Sequence, residues 1–407
     1  MRPVARLRQL ILMGLLSALA FPDAGVAKPG VELVTIGPDH AIETRFGHIL
    51  LRVVDPESGM DDVYDFGVAD FQRPGFIAET ALGRAKFRVR RSPAQIRFEN
   101  YAISDRQIDT QRLNLTDAQI AFLIARLEWN LLPENVEYVY DHVLDNCSTR
   151  LRDLLNDVTG GAIQLAAYEI PIARTYREEI LAAGSGRMLA LIGFDLLTGP
   201  GGENRVGAWR LSFLPHRLRD VLAVAENPAF GEGASLVASE EVLYRRKAAP
   251  AVGGSVRIGR IWIVVSGAAL GVFFGLTGFT AWLTRRTSKW LSRLAGLALI
   301  VTSAAFGLLG FALLPTALFS NGMIWAHNQN AWFFFPLDLL LLGPGLRWLW
   351  TGRATLATWS RAYIDLRFLM VVVGWTGVAY PQDDSAFALA AALTLAGLRM
   401  QPLVRAS

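Results

Sequence analysis

Tyr140-Asp141-His142-Val143-Leu144-Asp145-Asn146-Cys147-Ser148-Thr149-Arg150-Leu151-Arg152-Asp153-Leu154-Leu155 is the stretch that decides how this chain is read, and it holds the only cysteine in 407 residues. A strand-like aromatic run, Glu137 to Tyr140, leads into it. Asp145 and Asn146, both good N-cap residues, stand directly before the cysteine. Leu151, Leu154, Leu155 and Val158 then recur at helical spacing until Gly160-Gly161 ends the pattern. The spacing predicts an amphipathic helix with Cys147 in its first turn. Unpaired backbone amides and the helix dipole favour a thiolate there. A buried structural thiol is the competing reading, because free cysteine is among the most buried residue types. A lone cysteine excludes an intrachain disulfide framework and a cysteine-rich zinc site.

Upstream, Arg2, Arg6 and Arg8 precede an apolar run from Leu10 to Phe21, and Gly25-Val26-Ala27 offers the small residues of a cleavage site. The expectation is a signal peptide over 1–27 and export of the chain beyond it. Residues 28–247 alternate polar and apolar segments, as an exported globular domain should. Phe46–Val54, Val63–Val68 and Phe87–Arg90 read as strands of a small antiparallel sheet. Thr116-Asp117-Ala118-Gln119 is a capping box opening a helix through Ile120, Leu123, Ile124, Leu127 and Leu131. Residues 165–195 and 215–225 also read as helical, so the class is α+β. Residues 248–257 have linker composition.

Beyond the linker, residues 258–407 change character. Ile258–Leu283, Leu294–Leu314 and Trp332–Trp350 are each long enough to span a bilayer, as is the stretch Phe368–Leu398, which Pro381 to Ser385 divides in two. The expectation is an all-α membrane domain of about five helices. Arg285, Arg286, Lys289 and Arg293 follow the first span, Arg353, Arg361 and Arg367 the third, and Arg405 the fifth, whereas 315–331 and 381–385 hold no lysine or arginine. The positive-inside rule then puts the basic loops and the C-terminus in the cytoplasm of a bacterial inner membrane, and the N-terminal domain in the periplasm. An apolar fraction of 52% with eleven tryptophans fits that reading. The net charge of +4 therefore reflects topology, and nucleic-acid binding fails on location.

A nucleophilic cysteine needs a base, usually histidine. His48 sits at the start of the strand-like run Thr44-Arg45-Phe46-Gly47-His48-Ile49-Leu50-Leu51-Arg52-Val53. A strand end beside a helix N-terminus is a usual way to bring a base to a thiol. The bland reading of His48 is a hydrogen-bonded histidine at a sheet edge. His142, five residues before the cysteine, shapes the approach loop; His40 and His216 have no comparable setting. No His-Glu-x-x-His, Gly-x-Ser-x-Gly or Walker pattern occurs.

The pair Arg45-Phe46-Gly47-His48 and Asp145-Asn146-Cys147-Ser148-Thr149-Arg150, with Val63-Tyr64-Asp65-Phe66-Gly67 and Pro74-Gly75-Phe76 between them, resembles the exported domain of the bacterial lipoprotein N-acyltransferase Lnb family. That domain is similar to the permuted branch of the NlpC/P60 papain-like superfamily, which includes lecithin:retinol acyltransferase. The resemblance covers residues 30–160 well. It extends more loosely to the membrane part, through His327-Asn328-Gln329-Asn330 and the following apolar segment with Pro336 and Asp338.

The resemblance implies a papain-like fold and a thioester mechanism. Cys147 would attack a phospholipid acyl ester with His48 as base and then acid, and the chain would pass to the α-amine of a diacylglyceryl-cysteine lipoprotein. No cofactor and no metal are implied. The amide of Cys147 is a ready oxyanion donor. Asn146 and Tyr64 are candidates for a second donor; Asp65, Glu43 and Thr44 are candidates for orienting His48. Arg150 and Arg45 are candidates for holding a lipid phosphate, with a surface ion pair to Asp153 as the bland alternative for Arg150. His327, Asn328 and Asn330, in an outward loop, are candidate lipid contacts, or simply residues finishing a helix end. Asp338 should face the bundle interior. Two other readings stand beside this one: a membrane-anchored cell-wall cysteine peptidase or amidase, and a non-catalytic periplasmic sensor or scaffold.

Overall fold

The computed structural model describes residues 29–41, 44–184, 187–248, 255–284, 288–376 and 382–403. The expected signal peptide and most of the expected linker lie outside these residues, as do Glu43, Arg285, Arg286 and Arg405.

Nine strands are described: β1 Gly30–Ile36, β2 His48–Asp55, β3 Met60–Val68, β4 Lys86–Pro93, β5 Ile108–Leu113, β6 Glu137–Val139, β7 Arg174–Thr175, β8 Arg205–Val206 and β9 Val237–Tyr244. Seven of them form one antiparallel sheet in the order β6-β4-β3-β2-β1-β5-β9, and β7 pairs with β8 apart from it. The sheet is larger than the four strand-like segments expected, Phe46–Val54, Val63–Val68, Phe87–Arg90 and the run from Glu137 to Tyr140, suggest. Its centre is apolar on both faces, with Val31, Leu33, Val34, Ile49, Leu50 and Leu51 all fully buried. Of the strands missed toward the far edge, β9 is polar because it is exposed along most of its length, whereas β5 buries its polar Thr110 and Gln111, which bond Glu241 and Glu240 of β9.

Seven helices of eight residues or more, with one shorter helix at Phe76, belong to the N-terminal part. They are α1 Phe76–Ala81, α2 Ala94–Ile103, α3 Asp117–Leu131, α4 Cys147–Val158, α5 Ala162–Glu169, α6 Tyr176–Ala183, α7 Met188–Leu197 and, after a four-residue turn of helix, α8 Pro215–Val224. The capping box at Thr116 and Gln119 forms as expected. The expected helical stretch 165–195 is three pieces rather than one, since Pro171 cannot continue α5. Alternation sorts the sheet's two faces. Ile49, Leu51, Tyr64 and Phe66 pack with Leu123, Leu127, Leu151 and Leu155 of α3 and α4. Leu50 and Val63 pack with Val34, Ile36 and Ala94, on the side of α2.

Two later helices, α9 Val256–Thr284 and α10 Lys289–Phe319, are long and apolar enough to cross a membrane. The expected span Trp332–Trp350 is a correction: a turn of helix at Asn330–Phe333, a 3-10 segment at Pro336–Leu341 and α11 Leu342–Thr351 replace one continuous helix. Pro336 has no N–H and holds Phe335 extended, at φ −128° and ψ 135°. The chain then continues through α12 Thr358–Trp375 and α13 Ser385–Arg399. Helices α9 and α13 approach closely through glycine; a Cβ on Gly271 would stand 2.3 Å from the Leu393 carbonyl oxygen.

Arg367 is also corrected. It belongs to no exposed basic loop but lies fully buried on α12, paired with Asp338 at 2.8 Å. Asp338 faces the helical interior as expected.

Candidate active site

Local sequence builds the thiol's position. Asn146 caps α4: its side-chain oxygen accepts from the amides of Ser148 and Thr149 at 2.8 and 2.9 Å, and its own amide donates to the Thr149 hydroxyl at 2.8 Å. Cys147 is therefore the first helical residue, part-exposed, and its backbone N–H has no acceptor among the described residues. Ser148 anchors the same turn by donating to the Ser212 carbonyl at 2.7 Å. The buried leucines of α4 hold the helix against β2 and β3.

His48 is the first residue of β2, so its ring emerges at the end of the sheet. Gly47 turns the chain into the strand at φ +78°. The ring packs so closely over Gly67 that a Cβ there would lie 2.4 Å from the His48 Cε1. This contact gives the glycine of Tyr64-Asp65-Phe66-Gly67 its physical reason. His48 Nε2 meets Asp65 Oδ1 at 2.9 Å, and the opposite oxygen of Asp65 accepts from Arg97 Nη2 at 2.5 Å. The Gly67 amide donates a third bond to Asp65 at 2.8 Å. Asp65 is 2% exposed and the His48 side chain 15%.

Electrostatics follow from this packing. Burial raises the Asp65 pKa in principle, yet His48, Arg97 and the Gly67 amide outweigh it and hold the carboxyl at about 2. Burial likewise opposes charge on His48, but Asp65, Tyr101 and Cys147 together raise its proton affinity well above the ordinary value. The alternation of β2 puts His48 on the α2 face and Cys147 on the α4 face. Cys147 is among the groups whose charge raises the ring's proton affinity.

The other sequence candidates fall elsewhere. The Tyr64 hydroxyl donates to Glu128 at 2.6 Å within the core and has no proton left for the site. The Asn146 amide group donates to the carbonyls of His142 and Phe213 at 2.7 and 3.0 Å, so it caps and anchors and leaves no free donor. Thr44 bonds the Ala41 carbonyl. Arg150 does not pair with Asp153: it forms a two-pronged bond with Asp145 at 2.6 and 2.8 Å and lies over the Tyr138 ring at 3.7 Å. Arg152 pairs with Asp153 instead. Arg45 is buried and donates to the Ala183 carbonyl, away from the thiol helix. Asn328 and Asn330 are buried clamps rather than lipid contacts, their amides donating to the Leu196 and Leu197 carbonyls at the end of α7. His327 is exposed at φ +55°, a backbone state that terminates the turn before them.

Sequence reading did not single out Tyr138 and Tyr140, phenols on the run that leads into the thiol helix. Burial chiefly, with Cys147 next, raises both phenols above their ordinary range. The Tyr138 hydroxyl bonds the Phe66 carbonyl, and Tyr140 Oη pairs with His142 Nδ1 at 3.0 Å. The aromatic run ahead of Cys147 is the available signal. His142 shapes the approach loop from within. Its ring lies 4.3 Å from Phe46 and 6.4 Å from Trp325, and burial pushes its pKa down to about 4. Asp141 ties the same loop to the helical part by accepting from the Met323 amide at 3.2 Å.

Comparison with known proteins agrees with this layout. Residues 25–180 match the family described as the Lnb N-terminal periplasmic domain. No curated protein and no solved structure gives a match. The matched stretch is similar to that family's domain over less than half of the chain, and it contains both the helix-borne Cys147 and the strand-end His48.

Proposed function

We propose that this protein is a membrane-bound lipoprotein N-acyltransferase working through a Cys147 thioester. The observation that carries the proposal is the buried Asp65–His48 pair, 2.9 Å apart at a strand end, with the Cys147 thiol on the first turn of α4, a helix packed on the same sheet. A papain-like organisation, with the base on a strand and the nucleophile on a facing helix, accounts for that pairing. The N-terminal unit, about 28–247, would be periplasmic, and the part from 258 onward would be embedded in the inner membrane with a cytoplasmic C-terminus. The count of spans beyond α9 and α10 belongs to this proposal.

In the first half-reaction the Cys147 sulfur attacks the carbonyl carbon of a phospholipid ester. A C–S bond forms, the C–O bond breaks, and His48 returns the thiol's proton to the departing lysophospholipid oxygen. The unpaired Cys147 amide faces the developing oxyanion. In the second, the free α-amine of a diacylglyceryl-cysteine attacks the thioester carbon. The C–N bond forms, the C–S bond breaks, and His48 takes the amine's proton while the thiolate leaves. Asp65 keeps the imidazole in one orientation and stabilises its charged form. Embedding both substrates in the same leaflet as the thiol reduces the search to two dimensions.

Mass spectrometry of lipoprotein N-termini tests the reading, in cells depleted of their own N-acyltransferase. Wild type should give triacylated termini, and Cys147→Ala and His48→Ala diacylated ones. Diacylated termini throughout, with protein correctly inserted, would sink the proposal and bring forward a cell-wall amidase.

A further inference from the structure

Beside the Asp65–His48 pair lies a cavity of about 270 Å³ that the acyl-transfer scheme leaves unused. His48, Asp65 and Gly67 form its inner end, and Val68, Ala69 and Phe71 give it an apolar side. Three arginines, Arg90, Arg97 and Arg106, also line it, against the single carboxylate of Asp65. Arg97 is committed to Asp65 and to the Tyr101 hydroxyl, at 2.5 and 2.8 Å. Arg90 stands exposed on β4, and its side chain makes no hydrogen bond or ion pair among the described residues. Arg106 is 5% exposed; its Nε donates to the Gly37 carbonyl at 2.9 Å, while its Nη2 is buried without an acceptor.

A buried guanidinium donor left unpaired is costly, and none of the described residues satisfies this one, on a side chain that lines the cavity. Burial lowers the Arg106 proton affinity, and Arg97 and Arg246 add to it, against the opposing pull of Tyr101 and Asp39. The cavity is thus short of negative charge. Its apolar side leads through Phe71 into α1, whose end is fastened to the outer end of α10 by Ser320 donating to the Ala81 carbonyl at 2.8 Å. For a chain inserted through α9 and α10, that places the cavity where lipid head groups lie.

We propose that this cavity holds the phosphate of the donor phospholipid, with Arg90 and the free Nη2 of Arg106 as its donors. The inference rests on the acyltransfer reading and extends it. Guanidinium groups suit phosphate because their paired donors match its oxygens. On a glycerophospholipid the ester carbonyls lie only a few bonds from the phosphorus. A phosphate held beside His48 therefore keeps an ester within a few bonds of the base, while the chains follow the apolar side outward.

The test is calorimetric binding to the full chain in detergent micelles, carrying Cys147→Ala so that no lipid is consumed. The probes are dihexanoyl phosphatidylglycerol, dihexanoylglycerol without the phosphate, and inorganic phosphate. The phosphorylated lipid should bind about tenfold or more tightly than the unphosphorylated one, the scale of one or two charge-assisted hydrogen bonds. Arg90→Gln, at an exposed position, and Arg106→Gln should each erode that preference, and Arg106→Lys should keep part of it. Equal affinity for the two lipids would overturn the proposal, as would a preference untouched by both glutamine variants. Inorganic phosphate binding as tightly as the lipid would reassign the cavity to the free ion and overturn the lipid assignment. The two readings separate cleanly. A phosphate preference in a protein that leaves lipoproteins diacylated keeps the cavity and removes the acceptor; N-acylation without the preference removes the cavity alone.

Discussion

Two carboxylates in this protein, Asp65 and Asp338, are equally buried, each 2% exposed, and each is held by an arginine and a backbone amide. They do different things. Asp338 is enclosed by Arg367, fully buried, and by the Tyr363 hydroxyl at 2.8 Å, so its charge is met by a guanidinium that solvent does not reach. Asp65 shares its charge between Arg97 and a histidine that is 15% exposed and lines a cavity. Burial alone thus says nothing about function. What marks a site is a partner that can change protonation and can be reached.

The sharpest ways to break this contrast are substitutions at the two places. Cys147→Ala, next to the reachable pair, should abolish N-acylation, a loss of at least about 10³-fold, and leave the thermal unfolding of the purified protein near wild type. Retained transfer would remove the thioester. Asp65→Asn should lower the turnover of acyl transfer by roughly 10²- to 10⁴-fold, by analogy with other nucleophile–histidine–carboxylate sites, and should cost on the order of 2–3 kcal/mol of stability near neutral pH, because Arg97 loses its carboxylate. It should also move the histidine-dependent limb of the pH–rate profile to lower pH, because Asp65 is the leading group that raises His48. An unmoved limb would mean that Asp65 does not govern the base.

Asp338→Ala should behave in the opposite way. Removing one partner of a sealed pair leaves Arg367 charged and buried, at a cost of about 3–5 kcal/mol, seen as a lowered unfolding midpoint in micelles. Folded protein that survives should keep its reactivity toward a small thiol reagent at Cys147. A stable Asp338→Ala protein without that reactivity would erase the distinction between the two carboxylates.

The smallest expected effect concerns stability against pH. Because the folded pKa of His48 is raised, its stabilising charge is fully present below the unfolded value of about 6.5 and is lost as pH rises through the folded value. The Asp65 share is present above about 3.9 and is lost as pH falls toward 2. Replacing His48 by glutamine should therefore cost most between about pH 4 and 6.5, and progressively less at alkaline pH. Denaturant midpoints measured across that range check the shape; a cost that grows with alkalinity would reverse the assignment.

Much of this is legible in residue order. Asx-capping chemistry and leucine spacing place Cys147 at the start of α4, and the capping box at Thr116 places α3, because these signals act within one or two turns of chain. The length of α9 and α10 is likewise a property of an unbroken apolar run. The segment Trp332–Trp350 reads as one span because its apolar content outweighs its two prolines, Pro336 and Pro344, in a hydropathy window; Pro336 decides the backbone all the same.

What no local pattern holds is the partnership across the sheet. Asp65 is one of three candidates for orienting His48, and only the register of β2 against β3, with a glycine two residues on to admit the ring, selects it. Arg150 turns back to Asp145 rather than forward to Asp153, and Asn328 commits its amide to carbonyls of α7 more than a hundred residues away. The exposed or buried fate of Arg367 turns on a carboxylate 29 residues earlier. Residue order by itself determined the thiol, its helix and the two helices α9 and α10 that are long and apolar enough to cross a membrane, because those rest on propensity and on apolar length. Tertiary structure alone decided which charges meet and which donors stay unpaired, because a hydrogen bond depends on positions that distant segments bring together.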